Sequence, residues 1–203
     1  MERKILLIGG PARCGKSTLA KMVRQQFDGQ VVSGDALARA VRESIEFEWM
    51  PELFTERYKK IELSDPPEVQ IERLRQRDTT IWKLLKNYIS AVESGSTDSV
   101  LIDGGFWPDY LPNLTLTHRA VFLVDTSLDR AKWLISIRDN GEENNWMRDR
   151  NYSDEKIASW AEFDIARSKR IIELCKENGY TYFDIADYGI DKAQKLALEY
   201  LLS

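Results

Sequence analysis

The residues with the most specific chemistry lie in one stretch, Lys4 to Ser17 (KILLIGGPARCGKS). Gly10, Gly15, Lys16 and Ser17 satisfy the spacing G-x-x-x-x-G-K-[ST]. Glycines bounding the turn leave room for backbone N–H groups to face phosphate oxygens. The helix that follows directs its positive dipole end at the same anion. In this arrangement Lys16 reaches the terminal phosphates of a nucleotide, and the Ser17 hydroxyl sits on Mg²⁺. The candidate nucleotide contacts are therefore Gly10, Pro11, Ala12, Arg13, Cys14, Gly15, Lys16, Ser17 and Thr18. Cys14 stands beside a helix N-terminus, which predicts a lowered thiol pKa. Its role there is spacing and backbone donation rather than nucleophilic chemistry.

A strand must enter this turn and a helix must leave it. Ile5 to Ile8 is an apolar run of strand length, and Ser17 to Phe27 carries Leu19, Met22, Val23 and Phe27 at helical spacing. Further strands are predicted at Gln30–Ser33, Ser99–Asp103, Arg119–Asp125 and Tyr180–Asp184. Helices are predicted from Gly34-Asp35 to Ile45, from Asp65-Pro66-Pro67 to Arg77, and from Thr80 to Glu93. Others follow over Asp129–Arg138, from Ser153 to Glu177, and over Ile190–Leu202. The stretch Phe47 to Tyr58 is aromatic and irregular, and Asn140 to Asn151 is polar with no apolar period. Strands alternating with helices imply an α/β domain with a parallel sheet covered on both faces.

The 203 residues suit one domain, 1–203, with no repeat or linker. Hydrophobic residues at 43% and charged residues at 31% describe a globular chain. A net charge of -4 supplies no global basic field to recruit nucleic acid. Two cysteines make neither a disulfide framework nor a zinc site. No segment reaches transmembrane length, and the N-terminus lacks the form of a signal peptide, so the expected location is the cytoplasm, with no membrane partner. Monomer and homodimer both remain open.

With these pieces in place, the chain resembles the P-loop kinases of small molecules, the adenylate-kinase-like group. The likeness rests on GGPARCGKSTLAK, on VSGDALAR after the second strand, and on VLIDGG after the third. It implies a three-layer P-loop NTPase fold with five parallel strands in the order 2-3-1-4-5. It also implies an acceptor-binding helical region over about 35–93 and an arginine-bearing lid over about 140–151. Adenylate kinases follow Gly-Asp with Leu-Leu-Arg, whereas Arg39 falls one position later here. They place an arginine after the third strand, where this chain has Asp103-Gly104-Gly105-Phe106-Trp107-Pro108-Asp109. Two phosphate-gripping arginines are thus shifted or missing. The second-strand aspartate looks instead like the general base of P-loop kinases that phosphorylate hydroxyls, polynucleotide kinases among them.

Site roles follow. Asp103, ending a buried strand, is the outer metal ligand beside Ser17 and also faces substrate. Asp35 has two compatible readings, as a general base for an attacking hydroxyl and as a helix N-cap. Arg138, Arg148 and Arg150 are candidate catalytic lid groups, with a helix C-cap for Arg138 and a solvated salt-bridging loop for the others as alternatives. Arg39 and Arg42 either meet an anionic acceptor or face solvent. Trp49, Trp82, Phe106 and Trp107 either stack on a planar acceptor or belong to the core, and Trp107 is favoured for substrate. Arg167, one turn after Asp164, reads as a surface ion pair. His118 has no visible partner.

The expected activity is ATP- and Mg²⁺-dependent transfer of a γ-phosphoryl group to a hydroxyl of a small molecule, a nucleoside or other metabolite. Nucleoside monophosphate kinase is the alternative within enzymes. A nucleotide-binding ATPase or switch module is the alternative of another class, although no N/T-K-x-D guanine motif is present. A polynucleotide-end kinase would require a local basic groove.

Overall fold

The computed structural model describes residues 5–44, 49, 65–95, 99–140 and 145–203. Five strands form one parallel sheet: β1 (Ile5–Gly9), β2 (Gly29–Ser33), β3 (Ser99–Asp103), β4 (His118–Val124) and β5 (Thr181–Asp184). Their order is β2-β3-β1-β4-β5. The sheet centre is almost wholly apolar, as a sheet covered on both faces requires. Every residue of β1 is buried.

The alternation along each strand sorts the helices into two layers. Leu6, Ile8, Leu101, Val121 and Leu123 share one core with α1 (Lys16–Arg24) and with Ile190–Leu202, the last helix. Ile5, Leu7, Val100, Ile102 and Phe122 share the opposite core with α2 (Gly34–Ser44), α3 (Pro67–Gly95) and Asp154–Asn178. A third, smaller cluster joins α4 (Arg130–Asn140) and α5 (Trp146–Asp149) to α6 (Asp154–Asn178) through Leu134, Met147, Tyr152, Ile157 and Ala161. A short α7 (Ile185–Tyr188) and α8 (Ile190–Leu202) complete the chain.

Two elements differ from the sequence expectation. The predicted break between Arg77 and Thr80 does not occur, and α3 runs unbroken for 29 residues. Asp78 and Thr79 are poor helix formers, but tertiary bonds carry the helix through them. Asp78 accepts from Trp107 Nε1 at 2.9 Å, and the hydroxyls of Thr79 and Tyr110 are hydrogen-bonded at 2.9 Å. The second difference is in the polar stretch. Residues 145–151 include the helical turn α5, with Met147 buried and Trp146 packed on Tyr152 and Trp160 at 5.4 and 5.5 Å between ring centroids. Residues 141–144 of the expected lid, and the aromatic stretch from Phe47 to Tyr58 except Trp49, lie outside the described residues.

Candidate active site

Strand register brings the candidate residues to one edge. Asp103 pairs in register with Ile8 of β1 and with Ser33 of β2. The C-terminal ends of β1, β2 and β3 therefore meet, where ligands bind in open parallel sheets. After Gly9 the chain turns sharply. Gly10 has φ 129, and a Cβ there would lie 1.9 Å from the Leu123 carbonyl oxygen. Gly15 has φ 79 and precedes α1. Both glycines are thus demanded by backbone geometry, not only by motif.

Within the turn, the Lys16 ammonium donates to the Pro11 carbonyl at 2.6 Å. The Ser17 hydroxyl donates to Asp103 Oδ2 at 3.1 Å. Burial holds the Lys16 ammonium below its ordinary pKa, and Arg167 pushes the same way, while the Asp35 and Asp103 carboxylates oppose it. Burial likewise raises the Asp103 carboxyl, against the Ser17 hydroxyl and Lys16, which favour its ionised form. Lys16, Ser17, Asp35 and Asp103 form one electrostatic neighbourhood.

The donor set suits Mg²⁺. Ser17 and Asp103 offer hard oxygens, and among the described residues no group of three or more His, Cys, Asp or Glu could hold a metal by itself. Mg²⁺ in such a site takes its other ligands from phosphate and water.

Asp103 is only 7% exposed, and its raised pKa predicts a measurable cost. A carboxyl whose folded pKa lies above its unfolded one favours the fold in acid and loses that contribution as pH rises through the folded value. Asp103→Asn should therefore raise the melting temperature of the nucleotide-free protein at pH 7. The difference should close below about pH 4, where the wild-type carboxyl is protonated in both states. Calorimetry in Mg²⁺-free buffer reads this directly, and a lower neutral-pH melting temperature for the variant would contradict it.

Asp35 sits in the first turn of α2 with its side chain exposed. The cap expected of it belongs to Ser33, whose hydroxyl accepts from the Ala36 N–H at 3.3 Å. Arg39 and Arg42 are exposed on α2 at i+4 and i+7 from Asp35, and so share its face. Arg138 does not join the site. It donates to Asp139 at 2.8 Å and to the Tyr152 carbonyl at 2.8 Å, and pairs with Asp154 at 2.7 Å, tying the end of α4 to the start of α6. Asn145 donates to two carbonyls in the last turn of α4, those of Ile137 and Arg138. Arg148 and Arg150 are exposed on and just after α5.

Four expectations are corrected. Cys14 is fully buried, and desolvation overrides the helix terminus, pushing its thiol up to about 11. Trp107 is 0% exposed and offers no open face for stacking. Its Nε1–H is bonded to Asp78, and the guanidiniums of Arg75 and Arg167 lie 4.8 and 5.3 Å from its ring. Trp82 and Phe106 are core as well, with ring centroids 5.7 Å apart. Arg167 is no surface pair. It is 6% exposed, while Asp164 pairs with Arg130 instead. His118 has partners, the Leu116 carbonyl at 2.9 Å and the Tyr180 hydroxyl at 3.1 Å.

Arg167 is the residue that sequence reasoning misplaced at most cost. Its Nη2 lies 3.6 Å from Asp78 Oδ2, too far for a hydrogen bond, and Nε and Nη2 are buried without a bonded partner among the described residues. Gly105 passes over it, where a Cβ would lie 3.6 Å from Nη2. The usable signal was the apolar stripe of α6, on which Ile157, Ala161, Asp164, Ser168 and Ile171 are all buried. Residues on such a stripe face inward whatever their charge.

No family model and no curated protein matches the chain. Solved structures do. A shikimate kinase from Bacteroides thetaiotaomicron is 17% identical, with a TM-score of 0.53 and 99% of each chain covered. A sugar kinase from Janibacter sp. HTCC2649 is 15% identical, with a TM-score of 0.56, over 99% of this chain and 95% of that one. A shikimate kinase from Acinetobacter baumannii, in complex with shikimate, is 15% identical, with a TM-score of 0.50, over 97% and 89%. The five-stranded order, the phosphate loop after β1 and these likenesses together establish that the chain has the P-loop kinase fold.

Proposed function

We propose that this protein is a Mg²⁺- and ATP-dependent kinase that phosphorylates a hydroxyl of a small molecule. One observation carries the reading: an exposed carboxylate, Asp35, is near enough to act on Lys16 of a phosphate loop whose Ser17 is hydrogen-bonded to Asp103. Bound Mg²⁺·ATP supplies the phosphoryl group and part of the charge neutralisation. The loop amides and Lys16 hold the phosphates. Ser17 and Asp103 orient the metal's shell. Asp35 accepts the proton of the attacking hydroxyl, and its position on α2 puts Arg39 and Arg42 on the acceptor side. Arg148 and Arg150 close over the transferring group, and Arg138 anchors the segment that bears them.

Arg167 completes the set. A buried guanidinium with two nitrogens unbonded among the described residues, close enough to Lys16 to lower its pKa, suits an anion arriving at the transfer point. Arg167→Lys keeps the charge beside Asp78 but loses the fork. We expect kcat to fall about 10- to 100-fold with little change in nucleotide affinity. A variant with unchanged kcat would remove Arg167 from this role.

The acceptor class is tested by transfer of labelled γ-phosphate from ATP to a panel of hydroxylated metabolites, nucleosides and nucleoside monophosphates. Hydroxyl acceptors should lead. If nucleoside monophosphates prove best, the nucleotide-kinase alternative replaces this one.

A further inference from the structure

The phosphate loop is gripped from outside its own sequence. Arg130, at the start of α4, is 0% exposed. Its Nη1 donates to Asp125 Oδ2 at 2.6 Å. Its Nη2 donates both to Asp164 Oδ2 at 2.8 Å and to the Ala12 carbonyl at 2.7 Å. From the other helical layer, buried Gln194 on α8 donates Nε2 to the Gly15 carbonyl at 3.1 Å. Neither residue belongs to the loop motif.

Two physical points give these contacts a meaning beyond packing. First, peptide units are planar and trans, so fixing a carbonyl fixes the opposed N–H of the next residue. Holding the Ala12 carbonyl aims the Arg13 amide away from the clamp, and Gln194 adds to the hold that the Leu19 N–H of α1 has on the Gly15 carbonyl at 2.9 Å, which aims the Lys16 amide. Second, Arg13 has φ 57, in the left-handed region that non-glycine residues avoid. Such a conformation persists only where its surroundings fix it, and the Arg130 bond acts on the peptide that joins Ala12 to Arg13. Asp125 and Asp164 already balance the Arg130 charge, so ion pairing alone gives no reason for the third bond to the loop. A planar fork can serve all three acceptors together, whereas an ammonium is a point charge.

We infer that Arg130 and Gln194 are positioning residues for the phosphate loop, which fix the direction of the Arg13 and Lys16 amides and so set affinity for a nucleotide polyphosphate. The affinity part rests on the proposed function, and the part about loop geometry does not.

The test uses Arg130→Lys, which keeps the buried charge, and Gln194→Met, which keeps size and removes only the donor. Amide hydrogen exchange on the nucleotide-free proteins reads the loop, and calorimetry with Mg²⁺ and a non-hydrolysable ATP analogue reads affinity. Exchange at the Arg13 and Lys16 amides should quicken relative to β1. Analogue affinity should fall about tenfold for Arg130→Lys, the loss expected for a bond from a charged donor, and less for Gln194→Met. Lower melting temperatures with loop exchange and affinity unmoved would reduce both residues to structural supports and overturn the inference. If Arg130→Lys fails to fold, Gln194→Met decides by the same two readings. If the wild type binds no nucleotide, the proposed function falls, while the exchange comparison still decides the loop geometry.

Discussion

Lys16→Ala will abolish phosphoryl transfer and leave the fold intact. The ammonium lies within the loop on the Pro11 carbonyl and contributes no side chain to either apolar core. On the proposed function its removal takes away the motif lysine that would reach the terminal phosphates, and a loss of at least about 10³-fold is expected for a preorganised charge of this kind. The stability sign runs the other way. Burial lowers the Lys16 pKa, so the charged form is penalised in the fold at neutral pH. That cost is fully present below the folded pKa and disappears above the ordinary lysine value of about 10.4. The nucleotide-free alanine variant should therefore melt no lower than the wild type at pH 7. Single-turnover transfer and calorimetry on the same preparation check both halves. Undiminished turnover in a folded variant would remove the kinase reading.

Asp35→Asn will lower kcat by about 10²–10⁴-fold while leaving ATP affinity nearly unchanged, the range typical of a lost general base. A hydroxyl must surrender its proton as the new bond forms. A phosphate acceptor is already anionic near neutral pH and has more need of arginines. The structure makes this substitution a clean one. Ser33 carries the helix cap, and the Asp35 side chain is exposed, so asparagine alters basicity without disturbing α2. A loss below about tenfold would rule out base catalysis by this carboxylate and favour a phosphate acceptor.

The strands and most helices were legible because their signals are local. Ser99–Asp103 is an apolar run ended by two glycines, and it is β3 to the residue. The Ser153 cap and Gly179 stop bound α6 as expected, with Gly179 at φ 73. The phosphate loop was legible because its glycines are required by backbone geometry alone. What escaped was set by partners distant in sequence. Asp78 reads as a helix breaker until Trp107, 29 residues further on, bonds to it. Asp164 and Arg167 read as a surface pair until α6 is seen to bury both, each with its ionic partner on another helix. Cys14 follows the local dipole rule on paper, yet the helices packed over it exclude the water that a thiolate needs.

The Gly15–Gln194 bond spans 179 residues and the Ala12–Arg130 bond spans 118. Both residues that hold the loop are therefore made well after it, on helices far along the chain. A nascent chain halted before α8 displays the whole motif with one of its outside bonds unmade, and one halted before α4 displays it with neither. The outside hold on the loop is then complete only once α4 and α8 have both been made and have docked against it.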